Sequence, residues 1–169
     1  MVAEGKMLTH LDPFDLVEIA VTATRRSAVK EALRTRSNNF TPHRSEFELH
    51  YVGVMGEFVV ARALGVNVDR SVKIGSDNGI DLMFRDASIQ VKASTYTGNE
   101  PSLIFNDLEE FKADLAVGVQ ILCPVRTSIM GWMSREDFLT KHKIANYGYG
   151  DRFVVGQKQL ATIGALIDS

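Results

Sequence analysis

The period of apolar and polar residues changes along this chain, and each change marks an element. Residues 13 to 37 repeat at helical spacing: Leu16, Ile19, Ala20, Ala23, Ala28, Ala32 and Leu33 form one stripe. Asp12 is placed to cap the start, with Pro13 at the first helical position. Asn38 to Pro42 breaks the helix. A second helix is predicted from about Ser45 to Leu64, closed by Gly65, with Ser45 and Glu48 at capping-box spacing. Its apolar set, Phe47, Val54, Met55, Phe58, Val59, Ala61 and Leu64, covers much of the circumference and predicts burial. Gly53 and Gly56 weaken that helix, by roughly 1 kcal/mol each against alanine. Close approach to a neighbouring backbone would account for them.

Val68 to Ile74 reads as a strand, and from Gly79 to Ser94 the period becomes two. Leu82, Phe84, Ile89 and Val91 alternate with Asp81, Met83, Gln90 and Lys92, which predicts a half-buried hairpin. A turn at Asp86-Ala87 would set Met83 opposite Gln90 and Asp81 opposite Lys92. Further on, Phe105 to Lys112 reads as a short helix and Leu115 to Cys123 as a central buried strand. Ser128 to Met133 makes another strand, and Ser134 with Asp137 caps a helix reaching about Lys143. Asn146 to Gly150 is a loop whose two tyrosines can stack on a base. Phe153 to Val155 returns to strand, and Leu160 to Ile167 is a last apolar segment.

A length of 169 residues with 45% apolar content supports one domain with a real core. The net charge of -2 argues against a protein held on nucleic acid by bulk charge, though a local basic patch remains open. The single cysteine, Cys123, forms no internal disulfide and lies in an apolar run, so a buried position and a reducing, cytoplasmic setting are expected. The polar N-terminus does not resemble a signal peptide. No apolar run approaches the roughly 20 residues that span a bilayer, so no membrane partner is expected. Nucleotide-binding glycine loops and HExxH-type histidine spacings are absent.

Residues facing each other in a ladder share a sheet face, so Asp81, Gln90 and Lys92 converge on one polar patch. This arrangement, Asp81 followed by Gln90-Val91-Lys92, resembles the core motif of the PD-(D/E)xK nuclease superfamily. There an Asp on one strand precedes Glu, Asp or more rarely Gln, any residue, and Lys on the next. Met55-Gly56-Glu57 is similar to the Gly-Glu pair on the helix that opens many members. The resemblance covers roughly residues 45 to 135 and implies an α/β protein with the restriction-endonuclease-like αβββαβ core, a central mixed sheet flanked by helices. Residues 1–44 would then be a helical extension and 136–169 C-terminal elements of the same domain.

The resemblance also implies DNA phosphodiester hydrolysis with Mg²⁺, for which Mn²⁺ substitutes. Asp81 would be the central metal ligand, joined by the Gln90 amide oxygen, the Val91 backbone carbonyl and Glu57. Lys92 would orient the attacking water and stabilise developing negative charge. Gln90 departs from the commoner carboxylate and lowers the charge available to a metal. That departure keeps open a catalytically inactive nuclease-fold module that binds nucleic acid or a protein partner. For DNA contact the candidates are Arg26, Lys30 and Arg34, four apart along one helical face, and the hydroxyls of Ser94 and Thr95. The basic ridge reads equally as a solvated face complementing the helix C-terminus. His50, on the same helical stripe as Glu57, is a further candidate for substrate contact. Symmetric cutting of two strands would call for a homodimer.

Overall fold

The computed structural model describes residues 7–33, 44–70, 79–148 and 150–169. Strand β1 (Met7–His10) leads into helix α1 (Pro13–Ala32), which is capped as its sequence requires. The Asp12 side chain accepts the Asp15 backbone N–H, and the Asp15 carboxylate accepts that of Asp12. Helix α2 (Glu46–Leu64) starts with the Ser45/Glu48 capping box and stops at Gly65, whose φ of 67° is the left-handed closure that glycine permits. Arg62, near the end of α2, pairs with Asp12 and Asp15 at the start of α1, which fixes the two helices antiparallel. The basic segment from Arg34, the Asn38–Pro42 break and most of the strand expected at Val68–Ile74 lie outside the described residues. Val68 to Arg70 is irregular.

Five strands form the main sheet in the order β1-β6-β5-β3-β2, with β2 (Leu82–Phe84), β3 (Ala87–Ser94), β5 (Leu115–Cys123) and β6 (Arg126–Ser134). β3 and β5 run parallel and the other neighbours antiparallel, so the protein is α/β with a mixed sheet. β5 is the central strand, and Ala116 to Ile121 are buried. Three more strands, β4 (Ser102–Phe105), β7 (Lys143–Asn146) and β8 (Asp151–Gly156), make a separate antiparallel sheet in the order β4-β8-β7. Helix α3 (Arg135–Lys141) follows β6 directly, and helix α4 (Ile163–Asp168) ends the chain.

The alternation of β3 divides the core in two. Ile89, Val91 and Ala93, with Val117, Val119 and Ile129, meet α1, α2 and α4 on one face. On the other face Ala116 and Met133 meet Leu103, Phe105, Phe111, Phe138 and Val155, contributed by the small sheet, its preceding loop and α3. Phe105 stacks on Phe111 at 4.7 Å between centroids, and Phe138 meets both edge-on.

Several expectations are corrected. The hairpin turns at Arg85-Asp86, so Met83 faces Ser88. The regular ladder ends at Leu82–Ile89, and the Asp81 N–H also donates to the Ile89 carbonyl at 2.9 Å, so Asp81 does not face Lys92 as expected. Arg85 takes the positive φ (52°) that a two-residue turn matching the strand twist demands. Its guanidinium lies over the Phe84 ring and donates to the Ile167 carbonyl, which ties the turn to α4. Because the slip is two residues, the side-chain parity of Leu82 to Phe84 is unchanged. Residues 105–112 form no α-helix. Phe105 ends β4, and only a 3₁₀ turn at Leu108–Glu110 follows, capped by Asp107. Cys123 is exposed at the end of β5, where Pro124 begins the turn to β6.

Gly56 explains how α2 seats on the sheet. A Cβ there would lie 2.7 Å from the Ala93 Cβ and 3.2 Å from Val91 Cγ1, whereas one at Gly53 would meet nothing within 4 Å. Gly56→Val should therefore cost about 1–3 kcal/mol by overpacking. Gly53→Ala should stabilise by about 0.5–1 kcal/mol through helix propensity. Urea unfolding midpoints of the two variants should move in opposite directions.

Candidate functional site

The face of β3 turned away from α2 carries Ser88, Gln90, Lys92 and Ser94 in a row. Each acquires a different environment. Ser88 is held at the start of the parallel pair: its N–H and hydroxyl both reach Asp114 Oδ2, at 2.9 and 2.6 Å, and Asp114 N–H returns to Ser88 Oγ. These bonds from Ser88 hold the Asp114 carboxyl below its ordinary range. Gln90 is 6% exposed, and its Oε1 is buried with no hydrogen-bond partner. Lys92 Nζ donates to Glu110 Oε1 at 2.8 Å and sits 4.6 Å from the centre of the Phe105 ring.

Asp81 reaches this group from the neighbouring strand. The regular β2–β3 ladder ends at Leu82, and the Asp81 N–H still donates to the Ile89 carbonyl at 2.9 Å. Asp81 Oδ2 accepts the Val91 N–H at 2.7 Å, so the carboxylate continues the ladder as a side chain. Gly79, at φ 70°, leads into it. A Cβ on Gly79 would lie 3.3 Å from Gln90 Nε2 and 3.4 Å from the Glu110 carbonyl, so the incoming chain threads between those residues. Asp81 thus reaches the edge of β3 at Val91, between Gln90 and Lys92 in the chain, while Lys92 itself meets Glu110 and Phe105. Glu110 was not legible as a partner of Lys92. It stands eighteen residues beyond Lys92, in a segment whose pattern suggests a helix.

Glu57 lies elsewhere. It belongs to α2 on the opposite side of the sheet, 5% exposed, and Arg26 of α1 grips its carboxylate with two bonds of 2.6 and 2.9 Å. Arg26 also donates to the Asp69 carbonyl. The predicted ridge is therefore in part an interhelical clamp: Arg26 is spent on Glu57, Lys30 is half-buried on the same helix, and Arg34 lies outside the described residues. His50 accompanies this seam, its Nδ1 2.8 Å from Ser27 Oγ. Burial foremost, then the nearby Lys30 and Arg26 charges, lower its pKa, while Glu46 opposes them. Ser94 and Thr95 close β3. Ser94 Oγ accepts the Tyr96 N–H, and Thr95 Oγ1 accepts a bond from Arg44, a cation that the sequence reading did not single out.

The donors at Asp81 are hard oxygens: a carboxylate, the unpartnered Gln90 Oε1 and the Val91 carbonyl on the same strand edge. That set suits Mg²⁺, which keeps several of its waters. Among the described residues no three His, Cys, Asp or Glu side chains cluster as a metal group, so a cation here would rest on a sparse set. No helix among those residues is long and apolar enough to cross a membrane. A scan against protein-family models, a search of curated proteins and a search of solved structures return no match.

Two outcomes follow from the helical seam. Arg26→Met removes the bidentate partner of the buried Glu57 carboxylate and should destabilise the fold by about 2–3 kcal/mol, less than a fully buried pair because Arg26 is 23% exposed. Denaturant unfolding measures it, and Glu57→Gln in the same background should restore part of the loss. For His50 the folded pKa lies below its ordinary 6.5, so the unfolded chain takes up the proton first as pH falls. The His50 contribution is complete above that value and is lost as pH drops toward the lowered folded pKa. Stability measured between pH 7.5 and 5 should decline, and His50→Gln should flatten the slope.

Proposed function

We propose that this protein is a Mg²⁺-dependent deoxyribonuclease acting at the Asp81–Gln90–Lys92 face. The observation that carries the reading is the buried Gln90 Oε1 without a partner, on a strand whose next two residues meet the Asp81 carboxylate and carry the Lys92 ammonium. An acceptor left bare in this way costs about 1–3 kcal/mol, which a cation or a donor from a ligand would recover. The reading extends to a restriction-endonuclease-like core. The antiparallel β2–β3 hairpin, the parallel β3–β5 pair and α2 against β3 support it. The crossover from β3 to β5, built from β4 and a 3₁₀ turn in place of an α-helix, departs from that core.

Within this reading Asp81, Gln90 Oε1 and the Val91 carbonyl hold the ion. Bound there, Mg²⁺ would supply charge stabilisation and an acidified water. Beside the bond to Glu110, Lys92 has two further N–H donors for a phosphate oxygen as negative charge builds, and Phe105 beneath it limits where the ammonium can go. Arg44, Ser94 and Thr95 at the end of β3 would meet the neighbouring backbone phosphate. Glu57 stabilises α2 against α1 and takes no part.

A second reading, an inactive nuclease-fold module that binds nucleic acid or protein, is favoured by one observation: Lys92 is already neutralised by Glu110. Cleavage of supercoiled plasmid and of a branched DNA, with Mg²⁺ and then Mn²⁺, separates the two. Metal-dependent nicking is expected, with Asp81→Ala and Lys92→Ala each lowering it by at least about 10²-fold. Metal binding without nicking of either DNA would select the inactive module. Nicking that survives both substitutions would sink the site.

A further inference from the structure

The group around Lys92 holds a carboxylate that the nuclease motif does not contain. Glu110 Oε1 accepts Lys92 Nζ at 2.8 Å, and Oε2 accepts the Asn106 N–H at 3.1 Å. A one-turn 3₁₀ element, anchored by the Asp107 side chain on the Glu109 N–H, presents it to the sheet. The same turn is fixed from below, because Phe111 is fully buried against Phe105 and Phe138. Glu110 is therefore not a long side chain that happens to find a lysine. Its backbone position is set by the second core, and its carbonyl borders Gly79 on the approach to Asp81.

The charges at this face make the case. Gln90 is neutral, and its Oε1 is an orphan acceptor in a residue that is 94% buried, since it retains 6% exposure. Among the described residues around Lys92, Asp81 and Glu110 are the two carboxylates, and Lys92 pairs with Glu110. A carboxylate oxygen has two lone pairs, and each Glu110 oxygen uses one on the bonds described. Both retain capacity for a hard cation.

We propose that Glu110 is a cation-holding residue of the Asp81 site, supplying the second carboxylate beside the neutral Gln90 oxygen and setting the place of Lys92. This rests on the reading of that face as a Mg²⁺ site, and the test separates the two. Mn²⁺ binding is measured by calorimetry on the full chain as wild type, Glu110→Gln, Glu110→Asp and the double variant Glu110→Gln/Gln90→Glu. Plasmid nicking is measured in parallel. Glu110→Gln should weaken Mn²⁺ binding by about tenfold or more, and Glu110→Asp, which keeps the charge, should weaken it less. The double variant returns a carboxylate to the site and should recover most of the affinity lost by Glu110→Gln. Glu110→Gln binding like wild type, or a double variant no better than Glu110→Gln, would overturn the assignment while nicking by wild type leaves the nuclease reading standing. Mn²⁺ binding that depends on Glu110 in a protein that cuts no DNA would do the reverse. Failure of wild type to bind Mn²⁺ overturns both. Should Glu110→Gln not fold, Glu110→Asp against wild type carries the comparison.

Discussion

A strand covered on both sides must satisfy two surroundings with one alternating row of side chains, and β3 is that strand. Its apolar row lets α2 settle so closely that position 56 has no room for a Cβ. Its polar row faces the other core, where leaving a buried polar atom unpaired costs about 1–3 kcal/mol. The second layer is arranged around that cost. Asp114, just before β5, takes both donors of Ser88 and so pins the parallel β3–β5 register at its first rung. Glu110 and the Phe105 ring take the ammonium of Lys92. Further along, Gln120 of β5 uses its amide on the Tyr96 and Gly98 carbonyls, which folds the exit from β3 back over the sheet. Gln90 Oε1 is the one member of the β3 row left out. Thr9 Oγ1 and Ser128 Oγ are also buried without partners, but these are hydroxyls at the β1–β6 edge, away from the Asp81 group.

The helical side obeys a different logic. Its buried charge, Glu57, is met inside the fold by a bidentate guanidinium, the geometry best suited to a desolvated carboxylate. Arg26–Glu57, Ser27–His50 and Arg62 with Asp12 and Asp15 run along the α1–α2 contact and set the register of two helices whose apolar faces alone would allow sliding. Such pairs add little net stability when built and cost much when broken. Their effect is to fix where α2 stands, and α2 fixes β3.

Features that depend on neighbouring residues were legible in the sequence. The caps at Asp12, Ser45 and Ser134 formed as their spacing required, because a cap is decided within three residues. The parity of Leu82 to Phe84 against β3 survived even though the turn moved, because a two-residue slip returns those side chains to their own faces. The out-of-register bond from Asp81 to Ile89 was not legible. Sequence reasoning also saw that the glycines of α2 implied close approach. Which glycine, and that Arg26 would meet Glu57, depended on the crossing of α1, α2 and β3, which no local pattern encodes. The 105–112 segment failed for a related reason. Phe105, Leu108 and Phe111 recur at helical spacing, yet Phe105 belongs to a strand that pairs with Phe153, almost fifty residues later. Tertiary pairing overrode local period there, and Glu110 was hidden with it. Cys123 was misjudged because its apolar run ends one residue earlier than its pattern, at the turn where β5 leaves the core.

Position 90 shows why a neutral side chain suits this fold. At 6% exposure a glutamate in its place would be a desolvated charge beside Asp81, and its repulsion would weigh on the apo protein. Glutamine has the same shape, and its oxygen is still a hard donor. Without a cation it costs only one unmade hydrogen bond. The negative charge is carried instead by Glu110, 37% exposed, where water screens it and Lys92 can neutralise it. Placing the donor atom inside and the charge at the rim separates two demands that a buried carboxylate would join. The sheet can then fold without a desolvated charge at position 90, at the cost of one buried acceptor left unpaired.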